Sequence, residues 1–191
     1  MELLDIVDEN GIPTGEAIAR KDAHQYGVRH RTAHVWLFRI RNGKRQVLLQ
    51  KRSLNKDSFP GCYDISSAGH IPAGCSFIES ALRELKEELG IRAAAEELIY
   101  CGQRRFEYRQ LFRGQEFWDN QVSNIYVLWR DTEPTDLTLQ KSEVDAVLWM
   151  DLDQCMDMVQ NLKAPNCIWM EELEMIFSAT AGNQPTFVLS N

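Results

Sequence analysis

The 191-residue sequence predicts an α+β protein built on a mixed sheet flanked by helices. Three observations carry that expectation. Apolar runs of strand length recur between residues 3 and 150. One sharply bounded helical stretch interrupts them, and two more helical stretches follow the last run. Strands and helices therefore do not alternate strictly, as a purely parallel fold would require.

The elements follow in order. Residues 3–7 read as a strand, followed by the turn signals Asn10-Gly11 and Pro13-Thr14-Gly15. Residues 33–40 (AHVWLFRI) and 46–51 flank Arg41-Asn42-Gly43-Lys44. Asn-Gly between two apolar runs signals a hairpin, because both residues tolerate φ > 0. Residues 64–68, 98–108, 121–130 and 146–150 are further strands, with a turn at Arg113-Gly114-Gln115. Residues 76–89 are helical: Ile78, Leu82, Leu85 and Leu89, with Ala81 beside them, form one apolar stripe. Ser76 with Glu79 makes a capping box and Gly90 a stop. Residues 151–162 and 166–179 also read as helices. The second carries Ile168, Trp169, Met170, Leu173, Met175, Ile176 and Phe177, apolar on more than one face. Either it packs deeply on the sheet or it makes a homodimer contact. No repeat or linker divides the chain, so residues 1–191 are expected to be one domain, with 151–191 a C-terminal helical extension.

Composition narrows the function. Apolar residues make up 44% and the net charge is −7, which argues against nonspecific nucleic-acid or membrane-surface binding. The 5 cysteines are odd in number and form no CxxC pair, so neither zinc-type spacing nor a disulfide framework is present. The start, MELLDIVDEN, lacks the basic region and apolar core of a signal peptide, and no apolar run is long enough to span a bilayer. A reduced, soluble, cytoplasmic protein is expected.

Opposite the apolar stripe of the 76–89 helix lie Arg83, Glu84, Glu87 and Glu88. The three carboxylates stand on one side, at spacings where like charges repel by a few tenths of a kcal/mol per pair. The bland reading is a solvated acidic face. The sharper one is a divalent-cation site, since Mg²⁺ takes a few carboxylates, waters and substrate phosphate oxygens. Gly69-His70-Ile71-Pro72-Ala73-Gly74 leads into this helix and allows close backbone approach to a ligand.

Here a resemblance becomes specific. Residues 69–91, GHIPAGCSFIESALRELKEELGI, resemble the Nudix box of hydrolases that cut nucleoside diphosphates linked to another moiety. Arg83-Glu84, Leu85, Glu87-Glu88 and Gly90-Ile91 all fall at the family's positions. The resemblance implies a Nudix-like α/β/α sandwich. It implies Mg²⁺, with Mn²⁺ as a substitute, held by Glu84, Glu87, Glu88 and the Gly69 carbonyl, with these glutamates also catalytic. It implies a small-molecule diphosphate as substrate. One position departs: the early Glu of the box is Cys75. In the family that Glu braces the Arg, so Glu79 is expected to brace Arg83 instead, or else to serve only the capping box. Cys75 is expected to be a loop residue, since no basic activator lies nearby in sequence.

The flanks resemble the branch containing isopentenyl diphosphate isomerase and its hydrolase relatives. Residues 28–36 (VRHRTAHVW), 50–53 (QKRS) and 60–64 (PGCYD) carry this. The isomerase needs a Cys before the Gly-His of the box and a Glu on a later strand; this chain has Ala68 and, by alignment, Gln121. Neither can exchange a proton. The isomerase's metal also relies on histidines; of His24, His30, His34 and His70, the second and last are expected to line the cleft, and none is assigned to metal. Lys51, Arg52 and His30 are candidate substrate contacts, and Glu143 is an alternative base to Glu87 or Glu88. A non-catalytic binding module of the same fold is the remaining alternative.

Overall fold

The computed structural model describes residues 2–112 and 114–181. Arg113, within the expected turn at 113–115, and residues 182–191 of the expected extension lie outside the described residues.

A small antiparallel hairpin, β1 (Leu3–Val7) and β2 (Pro13–Ala19), opens the chain and leads into the short helix α1 (Arg20–Tyr26). The main sheet has seven strands and is mixed. At its centre β3 (His30–Arg41) runs parallel to β8 (Gln115–Trp129) and antiparallel to β4 (Lys44–Arg52). The β3–β4 turn is the expected one: Asn42 and Gly43 take φ of 53° and 73°. β7 (Leu98–Phe112) pairs with β8 along its length, and β9 (Val144–Asp151) covers the other edge of β4.

Side chains alternate across β3, so the sheet has two apolar faces. Ala33, Val35 and Leu37 face α2 (Phe77–Leu89) and its buried Ala81, Leu85 and Leu89. Trp36 and Phe38 face α3 (Leu152–Gln160) and α4 (Met170–Thr180), through Cys155, Leu173 and Ile176. Helices on both faces make the expected α/β/α sandwich. α4 buries its apolar side on the sheet rather than leaving it open. Its helix starts at Met170, four residues later than the apolar pattern suggests, because 166–169 run extended and pair against Tyr63.

The expected 64–68 strand is broken in two. β5 (Tyr63–Asp64) pairs with β4, whereas β6 (Ser67–His70) pairs with the first half of β3. Between them the buried Ser66 hydroxyl donates to the Leu48 carbonyl (2.6 Å) and accepts from the Leu37 amide (2.8 Å). One side chain thus satisfies the main-chain groups left over where β3 and β4 separate. That fork, with β6 wedged into it, opens a cleft.

β2 and α1 were not legible in the sequence. β2 is almost wholly exposed and carries turn residues, and α1 has seven residues with no side-chain N-cap.

Candidate active site

The cleft is large, about 1540 Å³, and α2 forms one wall. Ser76 caps α2: its hydroxyl accepts from the Glu79 amide while the Glu79 carboxylate accepts from the Ser76 amide. Glu79 therefore serves the capping box. The expected brace onto Arg83 is not its role here; Arg83 instead donates to the His70 carbonyl (3.1 Å) and to Glu84 (2.6 Å).

The structure brings Glu84, Glu87, Glu88 and Gly69 together on the cleft wall. Gly69 is required by contact: a methyl group there would sit 2.2 Å from the Glu84 carboxyl carbon. Burial raises the Glu84 pKa despite the adjacent Arg83. Glu88 is deeper, accepting from the Ser67 hydroxyl (2.7 Å) and the Ala68 amide (3.3 Å). Burial pushes its carboxyl up to about 8. Glu87 is the exposed member, with Oε2 3.9 Å from Arg83 Nε. Three carboxylates line this wall, two of them paired with Arg83, and carboxylate oxygens are the donors a hard divalent cation takes.

The missing box glutamate at Cys75 is compensated from elsewhere. Buried Arg31 donates to the Cys75 carbonyl (3.0 Å) and to Asp5 (2.7 Å), and Asp5 also accepts from the Gly74 amide (3.0 Å). The loop is thus held through its main chain by β1 and β3.

Of the other candidates, Arg52 lines the cleft, but its guanidinium donates to Asp64 (2.8 Å) and the Ser58 carbonyl. Lys51 is exposed and does not line the cleft. Glu143 lines it and pairs with Lys56.

His30 is fully buried behind the lining and belongs to a group the sequence did not reveal. His24, His30, His70 and Asp119 place one ligand atom each within 4.8 Å of one another. His24 Nδ1, His30 Nε2 and Asp119 Oδ1 are buried with no hydrogen-bond partner. Burial drives the His24 pKa down to about 3, and lowers those of His30 and His70, so the imidazoles are neutral and able to ligate. Burial raises that of Asp119. Three neutral imidazoles and a carboxylate suit a borderline transition metal. The signal was hidden because His24 lies on the unrecognised α1 and Asp119 is 49 residues beyond His70 in the sequence.

Comparison with known proteins identifies the family and the fold. The NUDIX domain family model matches residues 30–171. The chain belongs to the Nudix family. It is 38% identical over 160 residues to an uncharacterised Nudix hydrolase of Clostridium acetobutylicum, spanning 84% of this chain and 75% of that one. It is 38% identical over 158 residues to Nudix hydrolase 3 of Arabidopsis thaliana, spanning 80% of this chain but 20% of that longer protein. The crystal structure of DR0079 from Deinococcus radiodurans shares the fold, with a TM-score of 0.67 at 21% identity over 91% of this chain and 98% of that one. By membership and relatives the chain is a Nudix-type hydrolase. Among the described residues, no helix is long and apolar enough to cross a membrane.

Proposed function

We propose that this Nudix hydrolase cleaves the diphosphate linkage of a nucleoside diphosphate derivative or other organic diphosphate, in a Mg²⁺-dependent reaction. The observation that carries the reading is the gathering of Glu84, Glu87, Glu88 and Gly69 on one wall of the cleft. Mg²⁺ or Mn²⁺, when bound by these residues, neutralises phosphate charge and lowers the pKa of a water. The chain's own residues do the rest. Arg83 fixes Glu84 and the His70 carbonyl, and so holds the loop against the helix. Lys56 at the cleft lining, paired with Glu143, offers a cation to phosphate oxygens, with Arg52 bonding Asp64 and Ser58 in the 52–64 loop. Glu87, the most exposed carboxylate, is the base we favour for the attacking water.

The isomerase alternative is disfavoured by two residues. Ala68 and Gln121 line the cleft, and Gln121 Nε2 donates to Asp119. Moving a double bond needs a group that delivers a proton and one that removes it, and neither side chain does so.

Purified protein assayed with Mg²⁺ and Mn²⁺ on a panel of nucleotide and alkenyl diphosphates should release phosphate or nucleotide from at least one compound. Metal-dependent deuterium uptake into isopentenyl diphosphate from heavy water, without hydrolysis, would sink the reading. Silence in both assays would leave the binding module.

A further inference from the structure

Behind the cleft, on the face of the sheet away from α2, lies a charged network that neither the glutamates nor the histidine–aspartate group uses. His34 on β3 lines the cleft with its side chain 14% exposed. In the β3–β6 register it stands opposite Ala68. Its Nδ1 lies 3.0 and 3.1 Å from the two carboxylate oxygens of Glu172 on α4. Glu172 is buried and also accepts from Trp36 Nε1 (2.8 Å), with Arg104 Nη1 at 3.6 Å.

The buried Glu172 pair and the nearer partners of Thr32 favour a doubly protonated ring. Gln121 donates through Nε2 to Asp119, so its carbonyl oxygen is the end turned to Thr32. That oxygen, at 3.0 Å, and the Ser123 hydroxyl, at 2.6 Å, are both nearer to Thr32 Oγ1 than the ring is, and they compete for its single proton. With its proton drawn to those nearer partners, Thr32 Oγ1 turns a lone pair to His34 Nε2, at 3.3 Å, and the ring donates there. Glu172 only accepts, so Nδ1 donates as well. Both ring nitrogens carry protons. The charged groups around the ring agree: Glu172 on α4 and Asp64 on β5 favour the cation, and their effect outweighs burial and Arg104 on β7.

Beside this ring the cleft turns aromatic. Phe106 and Trp169 line it with centroids 4.6 Å apart, and Trp169 is 38% exposed. The Arg104 guanidinium stacks 4.5 Å from the Phe106 centroid, which stiffens that wall.

We propose that His34, anchored by Glu172, is a specificity-determining residue that donates from Nε2 to an acceptor on the organic half of the substrate, a conjugated group lying against Phe106 and Trp169. Thr32 is the weak stand-in partner that such an acceptor, a carbonyl oxygen or ring nitrogen, would replace or share. The proposal rests on the diphosphate reading for the other half of the substrate. A site that holds a fixed donor discriminates strongly against compounds that leave it unpaired. Alkenyl diphosphates, which carry no acceptor beyond the phosphates, are therefore poor substrates.

The test has two arms on the full chain. In the first, ¹⁵N-histidine spectra follow His34 at neutral pH while UDP or isopentenyl diphosphate is added with Mg²⁺. The expected result is a doubly protonated His34 whose Nε2 resonance shifts with UDP and not with the alkenyl compound. A neutral ring, or a His34 resonance unmoved by UDP, overturns the proposal, even if no diphosphate is hydrolysed. In the second, His34→Leu and His34→Gln are compared on UDP-linked and alkenyl diphosphates. His34→Leu should lower the preference for the UDP-linked compound by roughly 10-fold or more, mainly through KM, with His34→Gln partly restoring it. Equal losses on both classes, in protein whose fold is intact by circular dichroism, would overturn it.

Discussion

The two faces of the cleft handle charge in opposite ways. On the α2 side, Glu84 and Glu87 share one guanidinium, and the deeper Glu88 sits with a hydroxyl and an amide. On the α4 side, the buried Glu172 has His34, Trp36 and Arg104 around it. Buried charge without a partner is costly, so it is retained where an outside group completes it. The proposed function puts an incoming cation on the α2 side. The α4 side is complete in itself and offers a fixed, oriented donor. Net acidity at one wall and internal neutrality at the other can be perturbed separately.

The sharpest break is on the acidic side. Glu84→Gln or Glu88→Gln should lower turnover at least ~100-fold while the fold persists, because a carboxylate of the proposed metal site is lost. Wild-type rates in both variants would reduce that wall to a solvated surface. Gly69→Ala should also remove most activity, since the added methyl displaces the Glu84 carboxylate. Its thermal stability should change little, because a flexible side chain can move aside; a large fall in Tm would mean that Gly69 serves the fold instead.

On the α4 side the effect should appear in stability. Glu172→Gln leaves His34 and Arg104 facing a neutral group, and breaking such a buried pair costs roughly 3–5 kcal/mol, read by urea denaturation. The pH profile carries the sign. His34 is raised above its ordinary 6.5, despite burial, by Glu172; its stabilisation is full below that value and fades as pH rises through the raised one. Glu172 is held below its ordinary 4.5, against burial, by His34; its stabilisation is present above that value and is lost as pH falls through the depressed one. The pair's own contribution, read as wild type minus Glu172→Gln at each pH, should therefore hold between about pH 4.5 and 6.5 and decline on both sides.

The smallest effect is expected at Cys75. Its amide donates to the Pro72 carbonyl and its carbonyl accepts from Arg31. Cys75→Ala should change activity less than about twofold, within the scatter of surface substitutions. Complete loss would restore the thiol as a chemical actor.

These differences also explain what the sequence revealed. The α2 wall was legible because its residues are local: cap, stripe, acidic face and glycine loop all fall within residues 69–91, where helical spacing dictates who meets whom. The hairpin at Asn42-Gly43 was legible for the same reason. The α4 side was not. His34 and Glu172 are separated by 138 residues, and the His24–Asp119 approach depends on α1, whose short polar sequence has no periodic signature. The Arg31–Asp5 support for the box loop was equally hidden, because side chains of two other strands hold the loop's main chain. Pairings made by tertiary closure leave no spacing rule to read.

The four residues of β6 divide their duties by parity. Ser67 reaches Glu88 and Gly69 makes room for Glu84 on one face, while Ala68 stands beside His34 and His70 joins the histidine group on the other. Strand geometry allots alternate positions to opposite faces, so inserting or deleting one residue here would exchange every assignment at once. Substitution, by contrast, alters one assignment and leaves the other three. Along this lineage, β6 should therefore tolerate changes of letter but not of length, and the diversity of chemistry it supports should arise by replacement at single positions such as Ala68.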